Sequence, residues 1–179
     1  QLGFNWTSGS WLFGIETDIQ YSDLTDTFQA GSDADPHAIF LDVERSLDWF
    51  GTLRARLGVM ASPSMLLYAT GGLAYGGTDQ TSTLSRSATF GNFGTGGTTP
   101  LTCVSGVPCI SDSATSTAAG WALGGGLEFA LGSMTTLRGE YLHVDLGEET
   151  LRMVAVAPST GTGFATAKFD NTYDVVRVG

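Results

Sequence analysis

Apolar and polar residues alternate with a period of two over most of this chain, the pattern of strands whose two faces meet different surroundings. From Trp11 to Tyr21 one face carries Trp11, Phe13, Ile15, Thr17, Ile19 and Tyr21, and the other Leu12, Gly14, Glu16, Asp18 and Gln20. From Leu47 to Val59 the apolar face is Leu47, Trp49, Gly51, Leu53, Ala55, Leu57 and Val59, opposed by Asp48, Phe50, Thr52, Arg54, Arg56 and Gly58. Leu67, Ala69, Gly71, Leu73 and Tyr75 alternate with Tyr68, Thr70, Gly72 and Ala74. Trp121, Leu123, Gly125, Leu127, Phe129 and Leu131 alternate with Ala122, Gly124, Gly126, Glu128 and Ala130. Leu137, Gly139 and Tyr141 oppose Arg138 and Glu140, Val176 and Val178 oppose Arg177, and Leu2, Phe4 and Trp6 alternate at the start, which brings the strands to seven.

The connections alternate in length. Thr7 to Ser10, Ser62 to Ser64 and Gly132 to Met134 are short, whereas Ser22 to Ser46, Gly77 to Ala118 and Gly147 to Lys168 are long. Hairpins with tight turns at one end and long loops at the other are the mark of an up-and-down barrel across a bilayer, where about 9–11 tilted residues per strand suffice. Bacterial barrels of this kind have even strand numbers, so seven strands imply an eighth. Gln1 opens directly on a strand, and the chain stops inside the apolar run Val175-Val176-Arg177-Val178-Gly179. The expectation is therefore all-β: a transmembrane antiparallel up-and-down β-barrel, eight strands when intact. It is a single domain over 1–179 with its first strand missing and its last one truncated.

Composition narrows the alternatives. Hydrophobic residues are 42% and charged residues 15% of the 179, Gly is used 25 times, and the net charge is −10. An average soluble domain is about 25% charged. So acidic a chain does not neutralise phosphates, which argues against nucleic acid as a partner, and its eight Lys and Arg make no polybasic membrane tether. Alternation alone does not say which face points inward, and a soluble barrel would hide the apolar one. Three features favour the reverse. The less apolar faces are rich in Gly and Ala, and a narrow eight-stranded interior must be filled by side chains. Their charges balance, with Glu16, Asp18, Glu128 and Glu140 against Arg54, Arg56, Arg138 and Arg177, as buried ions require. Trp11, Tyr21, Trp49, Tyr75, Trp121 and Phe129 sit near strand ends on the apolar face, where two membrane interfaces would place an aromatic girdle.

The segments Trp11–Tyr21, Leu47–Gly58, Tyr68–Gly76, Gly120–Glu128, Glu140–Gly147 and Asp174–Gly179 occur in the order found in a known group. They resemble the small outer-membrane β-barrel proteins of alphaproteobacteria, often called porin-family or outer-membrane immunogenic proteins. The likeness covers nearly every strand and none of the long loops. It departs from the family at the first strand and at the aromatic terminal residue that belongs to the assembly signal. The resemblance implies a bacterial outer-membrane location, contact with outer-membrane lipids and lipopolysaccharide, and a peptidoglycan or surface-assembly partner. Some family members bind haem, which makes His143 a candidate axial ligand, with an interface-facing aromatic as the plainer reading; otherwise no cofactor is implied.

Cys103 and Cys109 lie in the longest loop, and the cell surface permits a disulfide that staples it. The first long loop holds Asp23, Asp26, Asp33, Asp35, Asp42 and Glu44 near Arg45 and His37. Oxygen ligation of a divalent cation is one reading of it and a solvated acidic loop the other. No enzyme signature appears: the Gly clusters lack a phosphate-loop Lys, no G-x-S-x-G motif occurs, and the Arg residues beside Glu16 and Asp18 hold them ionised. The functional expectation is a structural barrel that presents surface loops and supports envelope integrity. The alternatives are a narrow ion or solute channel and a loop-mediated haem-binding or adhesive protein.

Overall fold

The computed structural model describes residues 1–32, 39–86, 90–93, 101–132 and 135–179. Its strands are β1 (Leu2–Ser8), β2 (Trp11–Ser32), β3 (Ile39–Ser62), β4 (Met65–Arg86), β5 (Phe90–Phe93), β6 (Leu101–Cys103), β7 (Pro108–Ala130), β8 (Thr136–Ala155) and β9 (Phe164–Val178). Seven of them form one antiparallel sheet in the order β1-β2-β3-β4-β7-β8-β9, and β5 pairs with β6 separately. The sheet curls until Arg177 on β9 reaches Asp18 on β2 at 3.1 Å, so its concave face becomes the interior of an up-and-down barrel. The alternation explains the curl: Leu12, Glu16, Asp18, Thr52, Arg54, Arg56, Tyr68 and Thr70 are buried on that face, and the intervening Leu, Ile, Phe and Trp residues are exposed on the other. The tight β1–β2 turn depends on Gly9, whose φ of 60° suits the two-residue hairpins that follow strand twist.

The strands run much further than hydrophobic alternation indicates. β2, β3, β4 and β7 contain 22, 24, 22 and 23 residues, roughly twice what a crossing needs. The expected long loops are thus mainly sheet. Ser22–Ser46 holds the far ends of β2 and β3, Gly77–Ala118 those of β4 and β7, and Gly147–Lys168 those of β8 and β9. In the β4 and β7 extensions, residues 78–83 and 111–117 are polar on both faces apart from Ala114, so the period-two signal fades, while Thr and Ser keep the backbone extended and pair across the ladder. Thr78 meets Ser116 at 3.1 Å and Thr83 meets Ser111 at 3.0 Å.

Irregularities in the ladders reset which face is inside. A register shift between Leu47 and Trp49 leaves Asp48 unmatched. Leu47, expected on the outer face, therefore turns inward and is 1% exposed, while Trp49 stays outside. A second shift, between Asp145 and Glu148, is built on Gly147 at φ 81° and turns Leu151 and Met153 inward. The β7–β8 ladder runs from the Ala130–Thr136 pair to the Trp121–Asp145 pair and resumes only at Ser111–Val154.

The interior is layered along the barrel axis. Nearest the short turns lie Leu12, Leu66 and Tyr68. Buried charged residues follow, and then an apolar layer of Leu47, Phe50, Ala74, Ala122, Leu142, Val144 and Leu146. Beyond it Thr78, Gln80, Ser82 and Asn171 are buried, with Gln80 Nε2 donating to Asn171 Oδ1 at 3.2 Å. The far end is closed by Leu101, Cys103, Cys109, Ile110 and Met153.

Inward-facing glycines make room for the large interior side chains. Gly14 pairs with Arg56, Gly72 with Arg54 and Gly126 with Tyr68. A Cβ on Gly72 would collide with the Leu53 carbonyl oxygen and lie 2.7 Å from the Arg54 Cα, both backbone atoms that cannot swing aside. Gly72→Ala is expected to cost about 1–3 kcal/mol, the usual range for overpacking, read as a lower urea midpoint of the refolded barrel. An unchanged midpoint would show that the wall yields at this point.

Candidate functional site

The eight interior charges, which come from five strands, meet in one network. Arg54 is the centre, with a fully buried side chain. Its Nη2 donates to Asp18 Oδ2 at 2.9 Å, its Nη1 to Glu140 Oε1 at 3.0 Å, and its Nε to Thr52 Oγ1 at 2.9 Å. Arg56 bridges Glu16 at 3.2 Å and Glu128 at 2.6 Å. Arg138 contacts Glu16 at 3.0 Å and also bonds Glu140. Arg177 donates to both carboxylate oxygens of Asp18, at 3.1 and 3.2 Å, and lies 3.6 Å from Glu140.

Strand register sets up this convergence. Glu16 lies opposite Arg54, Glu128 opposite Arg138, and Glu140 opposite Arg177, so each ladder brings opposite charges side by side before any reach across the lumen. The longer contacts then tie facing walls together: β3 to β8 through Arg54–Glu140, and β8 to β2 through Arg138–Glu16. Charges taken out of water are tolerated only with several well-directed partners, and each acid here has at least two.

Two polar residues not singled out from the sequence complete the network. Tyr68 donates its hydroxyl to Glu140 Oε2 at 2.9 Å and accepts from Arg138 Nε at 2.8 Å, and the Arg56 guanidinium stacks 3.6 Å over its ring. Thr52 donates to Asp18 Oδ2 at 2.8 Å. Their inward register, two residues from Thr70 and Arg54 respectively, was the available signal. With this many fixed partners the arrangement can cross-brace a lumen, whereas an acid–base pair would need one group left free to exchange its proton.

The remaining candidates lie elsewhere. Trp11, Tyr21, Trp121 and Phe129 are exposed on the outer face, Tyr21 at 89%. Trp49 and Tyr75 are also outward, with ring centroids 6.0 Å apart, and partly cover each other. His143 is outward as well, its ring centroid 5.5 Å from that of Trp121. Its Nδ1 lies 2.8 Å from Asp174 Oδ1, which also accepts from the Tyr141 hydroxyl at 2.7 Å. His143 is thus a member of a hydrogen-bonded group on the outer surface, and the haem reading gains no support from this placement.

Cys103 and Cys109 form a disulfide, both fully buried in the closing cluster. The staple therefore does more than shorten a loop. It fixes β6 against the wall, where Thr102 and Thr160 exchange backbone hydrogen bonds of 2.8 and 3.1 Å. Of the acidic loop, Asp26 pairs with Arg45 at 2.9 Å, and Asp42 and Glu44 belong to β3. Asp33, Asp35 and His37 lie outside the described residues, as does the side chain of Asp23.

A family model described as outer membrane protein beta-barrel domain matches residues 1–174. The 31 kDa outer-membrane immunogenic proteins of Brucella melitensis biotype 1 and Brucella suis biovar 1 are each 36% identical over 152 residues, which is 84% of this chain and 54% of theirs. The 22 kDa outer membrane protein of Rhizobium leguminosarum bv. viciae is 36% identical over 95 residues, 51% of this chain and 37% of its own. The chain thus spans about half the length of the Brucella relatives. No solved structure matches it.

Proposed function

Because the chain belongs to the outer-membrane β-barrel family and resides in the bacterial outer membrane, we propose that it is a structural barrel with a filled lumen that carries a rigid sheet beyond the lipid surface. The carrying observation is the bracing of facing walls by Arg54–Glu140 and Arg138–Glu16, at 3.0 Å each, across the width a conducting path would need. A narrow barrel leaves an interior only wide enough for its own side chains, unlike the roughly 16–18 strands that enclose an aqueous pore. Above the charges, the layer of Phe50, Leu142 and Val144 offers a permeating ion no polar partner. The disulfide cluster adds a second apolar barrier at the far end.

In this reading the outer membrane gains a stiff, closed element held by lipid along its apolar band, and the extended strands present surface to the outside. Such an element supports envelope integrity through its rigidity and needs no transport activity. The full-length protein reconstituted in a planar bilayer is expected to give no discrete conductance steps, with folding verified by a heat-dependent shift in gel mobility. Reproducible steps from folded protein would overturn the closed-lumen reading and favour a narrow channel whose selectivity Arg54→Glu should alter.

A further inference from the structure

Beyond the aromatic girdle, a cavity of about 520 Å³ opens between the β2–β3 hairpin and β9. Its wall is mainly apolar, formed by Phe28, Leu41, Val43, Leu84, Met153 and Phe169. Leu84 and Met153 also pack against the disulfide cluster, which therefore closes one end. Arg45, Lys168 and Asp26 are the charged residues in its lining. Arg45 is held by Asp26 Oδ2 at 2.9 Å and by the Asp170 carbonyl at 2.8 Å, so that pair is neutral and Lys168 makes the site net positive. The lining is out of keeping with its level in the barrel. On β4 the inward residues just below are Thr78, Gln80 and Ser82, and the strands here stand outside the lipid band, where water solvates polar walls without cost. A concave apolar surface there is stable when something apolar fills it, and its volume falls within the roughly 300–1,000 Å³ of small-molecule sites.

We propose that this cavity binds a long-chain fatty acid, its acyl chain against Phe28, Val43, Met153 and Phe169 and its carboxylate directed to Lys168. Charge complementarity selects the anion, because the site is locally positive in a chain of net charge −10. Chain length then sets affinity, since each methylene buried tightens binding by about fourfold. Met153 suits the role, as an unbranched thioether adapts to a flexible chain. This inference is independent of whether the lumen conducts.

The test uses full-length protein in lipid nanodiscs, irradiated with a diazirine-bearing palmitate, with adducts mapped by mass spectrometry. Saturable adducts on Phe28, Leu41, Val43, Met153 or Phe169, competed by palmitate at least tenfold better than by hexadecanol, support the proposal. Adducts confined to outward residues such as Leu57, Leu73 and Leu123 overturn it, and so does equal competition by hexadecanol. Val43→Trp fills the cavity and is expected to lower the cavity adducts at least tenfold while those on the outer face persist. Should Val43→Trp lack the heat-dependent gel shift of the folded barrel, Lys168→Gln replaces it, with a severalfold loss of palmitate competition expected. Unchanged labelling and competition in the folded variant would exclude the site.

Discussion

Replacing Arg54 with Met is expected to lower the unfolding free energy of the barrel by about 3–5 kcal/mol, the cost of stranding buried charges by removing one partner. The Arg54 side chain is fully buried and joins Asp18, at 2.9 Å, to Glu140, at 3.0 Å. Without it the lumen holds four carboxylates against three guanidiniums, and Thr52 loses the donor that orients it. Urea titration of protein refolded into vesicles measures the change. Adding Asp18→Asn to Arg54→Met restores charge neutrality and should recover part of the loss. A double variant no more stable than Arg54→Met alone would place the cost in packing instead of charge.

Phe50→Ala should cost a comparable amount, about 3–5 kcal/mol, for a different reason. Phe50 is 2% exposed and packs in the apolar layer with Leu47, Ala74 and Leu142 just above the charges. The Arg177 guanidinium lies 5.8 Å from its ring centre, so the ring also roofs the network. Removing it leaves a cavity beside ionic groups, where water can enter. The same titration reads the stability. In planar bilayers, water reaching the charges from above should produce brief, small openings absent from the parent protein. A stability loss under 1 kcal/mol would mean that the surrounding Leu and Val side chains collapse into the gap.

Much of this was legible in the sequence, and the parts that were not have physical causes. The four acids and four arginines could be assigned to one face because a period of two leaves little choice within a membrane band. Which acid meets which arginine depends on register across ladders far apart in the chain, such as Asp18 with Arg177, and no local pattern encodes that. Leu47 was misplaced because a bulge at Asp48 inverts the faces beyond it, and that bulge, unlike the one at Gly147, has no glycine to announce it. The extensions of β4 and β7 looked like loop because alternation of hydrophobicity reports a difference between two environments. Where inside and outside are both polar, a strand has no contrast to display, and only the Thr and Ser content of Thr78–Ser85 and Ser111–Thr117 pointed to extended backbone. The closing role of Cys103 and Cys109 was hidden because spacing within a loop says nothing of the wall it folds against.

The interruption of the β7–β8 ladder divides the molecule at the height of Trp121. Hydrocarbon does not tolerate unmatched backbone groups, so such a gap belongs on the watery side of the girdle, where it stands. Below it the ladders run from β1 through β2, β3, β4, β7 and β8 to β9, and the Arg177–Asp18 ion pair bridges the seam between the sheet's two ends. Above it the wall is two leaves, β2-β3-β4-β7 and β8-β9, joined at the tip by Ile110–Ala155 and Ser111–Val154 and midway by the Ser116–Glu149 hydrogen bond of 3.1 Å. The lower part is held in shape by the interior ion pairs that tie its facing walls and its seam. The upper leaves share few ties, so a change of shape there need not disturb the ion-paired part below.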